Sequence, residues 1–126
     1  VKKKFNPDIP FIRLTEIYYT WAECKMRTGD KAGAAELINK VRARYFEGKD
    51  DPDPVTVENI DKYRMLDEWA EEFVAEGRRT DLVRWNAYVT EDWWDHKATN
   101  KANLNRFPIH YSVMGANNLL EQNPGY

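Results

Sequence analysis

The chain has 126 residues, of which 42% are hydrophobic and 13% aromatic, enough to build an apolar core in one domain or part of one. Its net charge of −2 and pI near 5.7, with lysines and arginines spread along the chain, argue against a nucleic-acid partner. The single cysteine, Cys24, excludes an internal disulfide, and no run approaches the ~20 apolar residues of a membrane span.

The start, Val1-Lys-Lys-Lys-Phe5, is basic but has no apolar stretch behind it, so it is no secretory signal. A first helix is expected over residues 10–28, with Pro10 in its first turn and Gly29 as its stop. Phe11, Ile12, Leu14, Ile17, Tyr18, Tyr19, Trp21, Ala22, Cys24 and Met26 surround this helix and predict burial on most sides. Cys24 reads as a small buried hydrophobe. Arg13, Glu16, Thr20, Glu23 and Arg27 share the remaining stripe, which is either solvated or a buried ionic seam.

Asp30 is a suitable N-cap for a second helix over 31–46, whose apolar line is Ala34, Leu37, Ile38, Val41 and Tyr45. The short Gly29-Asp30 junction forces an antiparallel pair, and Ala22, Ala32, Ala34 and Ala35 allow close packing. Residues 22–43 are similar to the middle of a tetratricopeptide unit, present in one copy. Residues 47–56, with two prolines and three aspartates, read as a solvated acidic loop without calcium-loop spacing.

A third helix is expected over 57–76, capped by Thr56, with Glu58 near its positive end and Val57, Ile60, Tyr63, Leu66, Trp69, Phe73 and Val74 as its apolar stripe. Gly77 ends it. A fourth helix over 79–89 carries Leu82, Val83, Trp85 and Val89. From residue 90 the periodicity stops: an aromatic cluster Trp93-Trp94-Asp95-His96, a polar loop, an extended Phe107-Pro108-Ile109, one helical turn within 112–120, and a terminal turn at Asn123-Pro-Gly-Tyr126. The fold class is therefore all-α: two antiparallel, tetratricopeptide-like helix pairs (10–46 and 57–89) and an irregular tail (90–126), forming a single portion over 1–126.

No residue pattern supports an enzyme. Glu68, Glu71, Glu72 and Glu76 lie along one helix. Glycoside hydrolysis needs two carboxyls facing each other across a cleft, so these read as a charged helix face with intrahelical pairs. His96 and His110 have neither zinc-ligand spacing nor a nucleophile nearby, and the glycines form no phosphate loop; no cofactor and no metal are expected. Arg79, Asp81 and Arg84, beside Arg78, crowd a short element and need acceptors; Glu16 and Glu23 are the candidates, giving an ionic seam that locks the second helix pair to the first. Tyr88, Trp93 and Trp94 are candidate ligand-binding residues, since flat aromatic faces suit pyranose rings; the competing reading has them covering the end of the helix pairs.

Three stretches carry a family resemblance: Ile9-Pro-Phe-Ile-Arg-Leu-Thr-Glu-Ile-Tyr-Tyr-Thr-Trp-Ala-Glu23, Glu76-Gly-Arg-Arg-Thr-Asp-Leu-Val-Arg-Trp85, and the ending from Phe107-Pro-Ile-His110 through Gln122-Asn-Pro-Gly-Tyr126. With Ile38-Asn-Lys-Val-Arg-Ala43 and Leu66-Asp-Glu-Trp-Ala-Glu-Glu-Phe73, they make the chain resemble the C-terminal part of the SusD/RagB outer-membrane nutrient-binding lipoproteins. Cys24 and His110 depart from that pattern, where alanine and a second proline are usual. The resemblance implies a helical, tetratricopeptide-like scaffold and no catalysis. It implies a surface-exposed location at the outer membrane, polysaccharide uptake, and partnership with a TonB-dependent, SusC-like transporter. It also implies that glycan or other nutrient is bound mainly by a larger N-terminal portion, with the signal peptide and lipid anchor outside this chain, and that the end is native. The alternative is a helical-repeat protein–protein adaptor without sugar binding.

Overall fold

The computed structural model describes residues 11–94 and 96–126. Pro10, the lysine-rich start and Asp95 lie outside the described residues. The chain is all-α: α1 (Leu14–Arg27), α2 (Lys31–Phe46), α3 (Lys62–Glu72), α4 (Arg78–Arg84), a 3-10 turn η1 (Ala102–Asn105) and α5 (Tyr111–Ala116). Among the described residues no strand forms, and no helix is long and apolar enough to cross a membrane. The chain divides into two compact units, one ending at Glu72 and one running from Phe73 to Tyr126.

In the first unit α1 and α2 make an antiparallel hairpin. Gly29, at φ +94°, turns the chain where a β-carbon would be strained. Asp30 then caps α2 by accepting from the Gly33 amide at 2.9 Å. Ala22, Ala34 and Ala35 are buried at small cost in volume, so the helices approach closely. Tyr19 fills the space beside them and meets the Trp69 ring edge-on, centroids 5.5 Å apart. Leu37, Ile38, Val41, Val55, Ile60, Met65 and Leu66 complete this core.

The helix boundaries differ from those the periodicity predicts. α3 starts at Lys62 because residues 57–59 form a separate turn, which Thr56 and Asn59 close reciprocally. Asp61, not Thr56, accepts from the first turn of α3, at the Arg64 amide. Val57, Tyr63 and Val74 are consequently exposed rather than part of the stripe. α1 is also less covered than its apolar periphery suggests: Thr15, Tyr19, Ala22 and Glu23 face inward, whereas Phe11, Ile12, Leu14, Ile17 and Trp21 face solvent. Cys24 is exposed, because it falls at the register of Leu14, Ile17 and Trp21, opposite the buried face.

In the second unit Leu82, Ala87 and Val89 are buried with Phe73. α4 stops at Arg84, short of residue 89. Asn86 takes φ +52°, and the amides of Ala87 and Tyr88 both return to the Leu82 carbonyl, at 2.7 and 3.1 Å. Beyond residue 89 no described residue is buried. This tail is fastened by polar side chains on main-chain groups. Gln122 takes both the amide (2.8 Å) and the carbonyl (2.9 Å) of Ile109, and Asn123 donates to the Phe107 carbonyl at 2.7 Å. The Tyr126 hydroxyl donates to the Arg106 carbonyl at 2.9 Å. Gly125 is required here, since a β-carbon would lie 2.7 Å from that of Asn103.

Candidate functional site

The aromatic cluster after α4 forms a closed turn. The amide of Trp93 donates to the His96 carbonyl at 2.9 Å, and that of His96 donates back at 3.3 Å. Asp92 braces the turn from outside: one carboxylate oxygen accepts from the Ala98 amide at 2.9 Å, the other from Lys97 Nζ at 3.0 Å. Those bonds, the Ala98 amide first, hold the Asp92 carboxyl below its ordinary range and keep it ionised. His96 Nε2 donates to the Tyr88 carbonyl at 2.8 Å, tying the turn to the end of the α4 segment.

The three candidate rings do not share one role in this arrangement. Tyr88 lies against the His96 ring, centroids 5.3 Å apart, and under the Arg79 guanidinium at 4.8 Å. Trp93 donates its indole N–H to the Ala87 carbonyl at 3.3 Å and lies under Arg78 at 5.0 Å. Both are half-buried, consistent with covering rings. Trp94 is 98% exposed at the same turn. The Trp93-Trp94 pair thus puts adjacent residues on opposite sides of the turn, one inward and one outward.

The residues of the expected seam have these partners inside their own units. Glu23 is buried and accepts from Arg27 Nε at 2.9 Å, one turn along α1. Glu16 is half-buried. Arg79 donates to the Leu104 carbonyl at 2.6 Å, and its guanidinium sits 4.1 Å over Phe107 as well as over Tyr88. Arg84 donates to Asp81 at 2.9 Å within α4.

The densest electrostatics lie where sequence reasoning expected solvated charge. Glu71 and Glu76 are exposed as expected, but Glu68 and Glu72 are buried, at 2% and 9% exposure, and the intrahelical pair that Glu68 makes with Arg64 is part of a wider network. Arg42 of α2 bonds Glu68 at 2.8 Å and grips Asp51 with two nitrogens at 2.6 and 3.0 Å. Arg64 bonds the same Glu68 oxygen at 2.8 Å and Asp53 at 2.7 Å. The acidic loop is largely exposed, as expected, but two of its aspartates also serve an ionic network: Asp51, mostly covered, on Arg42, and Asp53, still exposed, on Arg64. The Arg42 hydrogen bond draws the Asp51 carboxyl below its usual range, and Asp51 in turn raises the Arg42 pKa.

Glu72 gathers Arg13 at 2.8 Å, Arg44 at 2.9 Å and the Tyr45 hydroxyl. Burial opposes its charge, but these bonds prevail and hold its pKa below the ordinary value. Arg13 also donates to the Glu72 carbonyl at 2.9 Å, placing a cation at the C-terminal end of α3. Buried Tyr19 bonds Glu68 at 3.4 Å; burial first, then the Glu68 charge, pushes its phenol pKa well up.

A sequence signal for this network exists: Met65, Glu68, Trp69 and Glu72 follow the i, i+3, i+4, i+7 register of a core face, so two carboxylates stand at core positions. Asn39 was also missed; it brackets both main-chain groups of Val55, at 2.7 and 2.9 Å. Among the described residues no group of three or more His, Cys, Asp or Glu could hold a metal ion.

The model of the SusD family matches residues 2–126 of this chain. Among curated proteins, the chain is 37% identical over 129 residues to the starch-binding protein SusD of Bacteroides thetaiotaomicron. That alignment covers 96% of this chain and 22% of the relative, so the chain spans about a fifth of the length of the protein it matches.

Proposed function

This chain belongs to the SusD family, and on that premise we propose that it is the scaffold part of an outer-membrane, surface-exposed protein that binds glycans or other nutrients. In this reading the protein works with a TonB-dependent, SusC-like transporter, is not an enzyme, and takes its ligand largely through polypeptide outside this chain. The observation that carries the reading is 37% identity along 96% of the chain to a protein whose name states starch binding. The fold agrees with a scaffold role. The first unit spends its buried carboxylates on arginines: Glu68 and Glu72 are fixed by Arg42, Arg64, Arg13 and Arg44 instead of facing a cleft. The second unit offers the aromatic turn with Tyr88, Trp93 and Trp94 as its candidate contact with sugar.

The test is retention of the native full-length protein on a panel of immobilised neutral polysaccharides, with outer-membrane proteins that co-purify identified by mass. Retention by at least one polysaccharide together with a TonB-dependent transporter is expected. Absence of any retention overturns the reading. The second reading, an adaptor that binds protein and no sugar, draws on the exposed Leu14, Ile17 and Trp21 of α1. It predicts a protein partner without polysaccharide retention.

A further inference from the structure

We propose that the Asp53–Pro54 peptide bond is a self-cleavage site, at which the Asp53 carboxylate attacks its own main-chain carbonyl carbon while Arg42 and Arg64 hold the carbonyl oxygen. The reaction is a single cut in the protein itself, and it stands apart from the glycan-binding reading above.

An oxyanion site, a nucleophile and a suitable leaving group meet at this bond. The Asp53 carbonyl oxygen accepts from Arg42 Nη2 at 3.0 Å and from Arg64 Nη2 at 2.8 Å. Guanidinium donors at that range from one carbonyl have the geometry of an oxyanion hole, and such bonds strengthen as negative charge grows on the oxygen. Both arginines are fixed in advance, because the same oxygen of buried Glu68 accepts from Arg42 Nη1 and from Arg64 Nε, each at 2.8 Å. Arg64 Nη1 also holds Asp53 Oδ2 at 2.7 Å, so one guanidinium keeps the carboxylate beside the carbonyl it attacks. The leaving nitrogen belongs to proline. It is a tertiary amide that departs as a basic secondary amine, and Pro54 is exposed, so solvent can protonate it.

The step balances with water alone. An Asp53 carboxylate oxygen bonds to the Asp53 carbonyl carbon, closing a succinic-anhydride ring and placing negative charge on the oxygen between the arginines. The carbon–nitrogen bond to Pro54 then breaks. Its electron pair goes to the nitrogen, which takes a proton from solvent. Water opens the anhydride, restoring the Asp53 side-chain carboxyl and leaving a new α-carboxyl on the same residue.

The same loop holds its own comparison, because Asp51–Pro52 has this chemistry in sequence but not in space. Arg42 takes both Asp51 carboxylate oxygens, at 2.6 and 3.0 Å, and the Asp53 amide takes one of them at 2.9 Å. Among the described residues no hydrogen bond reaches the Asp51 carbonyl. Folding therefore selects one of two Asp-Pro bonds. A cut there leaves the two pieces joined by Arg42 on Glu68 and by Arg13 and Arg44 on Glu72.

The experiment incubates the purified native full-length protein at about pH 5, where the fold holds, beside an identical sample in urea. New N-termini are then mapped by mass spectrometry. In the native sample the terminus at Pro54 should accumulate roughly tenfold faster than one at Pro52, the effect of donors aimed at a developing oxyanion, and in urea the two should form at similar rates. Asp53→Ala removes the nucleophile at a side chain 68% exposed, so the fold should survive and the Pro54 terminus should vanish. Pro54→Ala, which keeps the carboxylate and both arginines, should suppress the cut as well.

No Pro54 terminus in the native protein overturns the proposal, as do equal native rates at the two bonds. An excess at Pro54 that persists in urea would assign it to local sequence and overturn the proposal too. A Pro54 terminus retained in Asp53→Ala would do the same by pointing to a contaminating protease. None of these results bears on polysaccharide retention, which tests the earlier reading separately.

Discussion

The two units of this chain solve the same problem, fixing irregular backbone, by different chemistry. In the first unit, charged side chains hold other charged side chains around carboxylates that are buried: Arg42 bridges Asp51 and Glu68, while Arg13 and the more exposed Arg44 close on Glu72. In the second, planar polar groups hold the main chain near the surface: Gln122 on Ile109, Asn123 on Phe107, Arg79 on Leu104. The difference teaches where each unit is vulnerable. A buried ion pair leaves an uncompensated charge when one partner is removed. A main-chain group near solvent is partly satisfied by water after its clamp is lost.

The largest expected effect is Arg42→Ala, which leaves buried Glu68 with Arg64 as its one cation among the described residues, frees Asp51 and loses the bond to the Asp53 carbonyl. Urea denaturation should show a loss of about 3–5 kcal/mol, and a loss below about 1 kcal/mol would erase the contrast between the units. Arg42→Lys should rescue little, because three N–H groups on one nitrogen cannot span the four acceptors that the planar guanidinium reaches: both Asp51 oxygens, Glu68 and the Asp53 carbonyl.

Acid should act on the first unit next. Asp51 and Glu72 are depressed below their ordinary values of 3.8 and 4.5. A carboxyl depressed on folding adds stability that is present above its unfolded pKa and is lost as pH falls through its folded pKa. The melting temperature should therefore hold from pH 7 to about 5 and fall below about 4. Glu72→Gln should melt lower at pH 7 and show a shallower acid decline. An equally steep decline would remove Glu72 from the acid response.

Matched amide clamps sharpen the comparison. Asn39→Ala leaves buried Val55 with both main-chain groups unbonded by that side chain and should cost about 2 kcal/mol. Gln122→Ala, with the same two-bond geometry on half-buried Ile109, should cost about 1 kcal/mol or less and appear chiefly as faster amide exchange at Ile109. Equal losses would mean that burial does not set the difference. The smallest effects are expected at the sequence-predicted seam. A double-mutant cycle of Glu23→Gln with Arg84→Lys should give a coupling of about 0.5 kcal/mol or more if the two groups depend on each other. Additive losses would reject the seam.

Much of the helical framework was legible before any coordinates. The Gly29-Asp30 turn, the Asp30 cap, the alanines of the hairpin and the Leu37, Ile38 and Val41 line follow from local rules of dihedral, capping and period. Less legible were the start of α3 and the early stop of α4. The reciprocal Thr56–Asn59 bonds and the left-handed Asn86 override propensity at those two points. In the aromatic cluster, composition named Tyr88, Trp93 and Trp94 but could not divide them into covered rings and an open one.

By itself the sequence determined what short-range physics determines: an all-α chain, its first hairpin, its turns, and membership of a helical binding-protein family through residues in register. Only the tertiary structure decided how the buried charges are paired and which hydrophobes are not buried. The register sets Glu72 on the core face and Glu71 off it, but which cations meet the buried carboxylate, Arg13 and Arg44, is not written in that register. In sequence Trp94 looks like Trp93. The physical reason is that burial depends on what long-range folding brings opposite a side chain, and the pairing of Glu72 with Arg13 spans 59 residues.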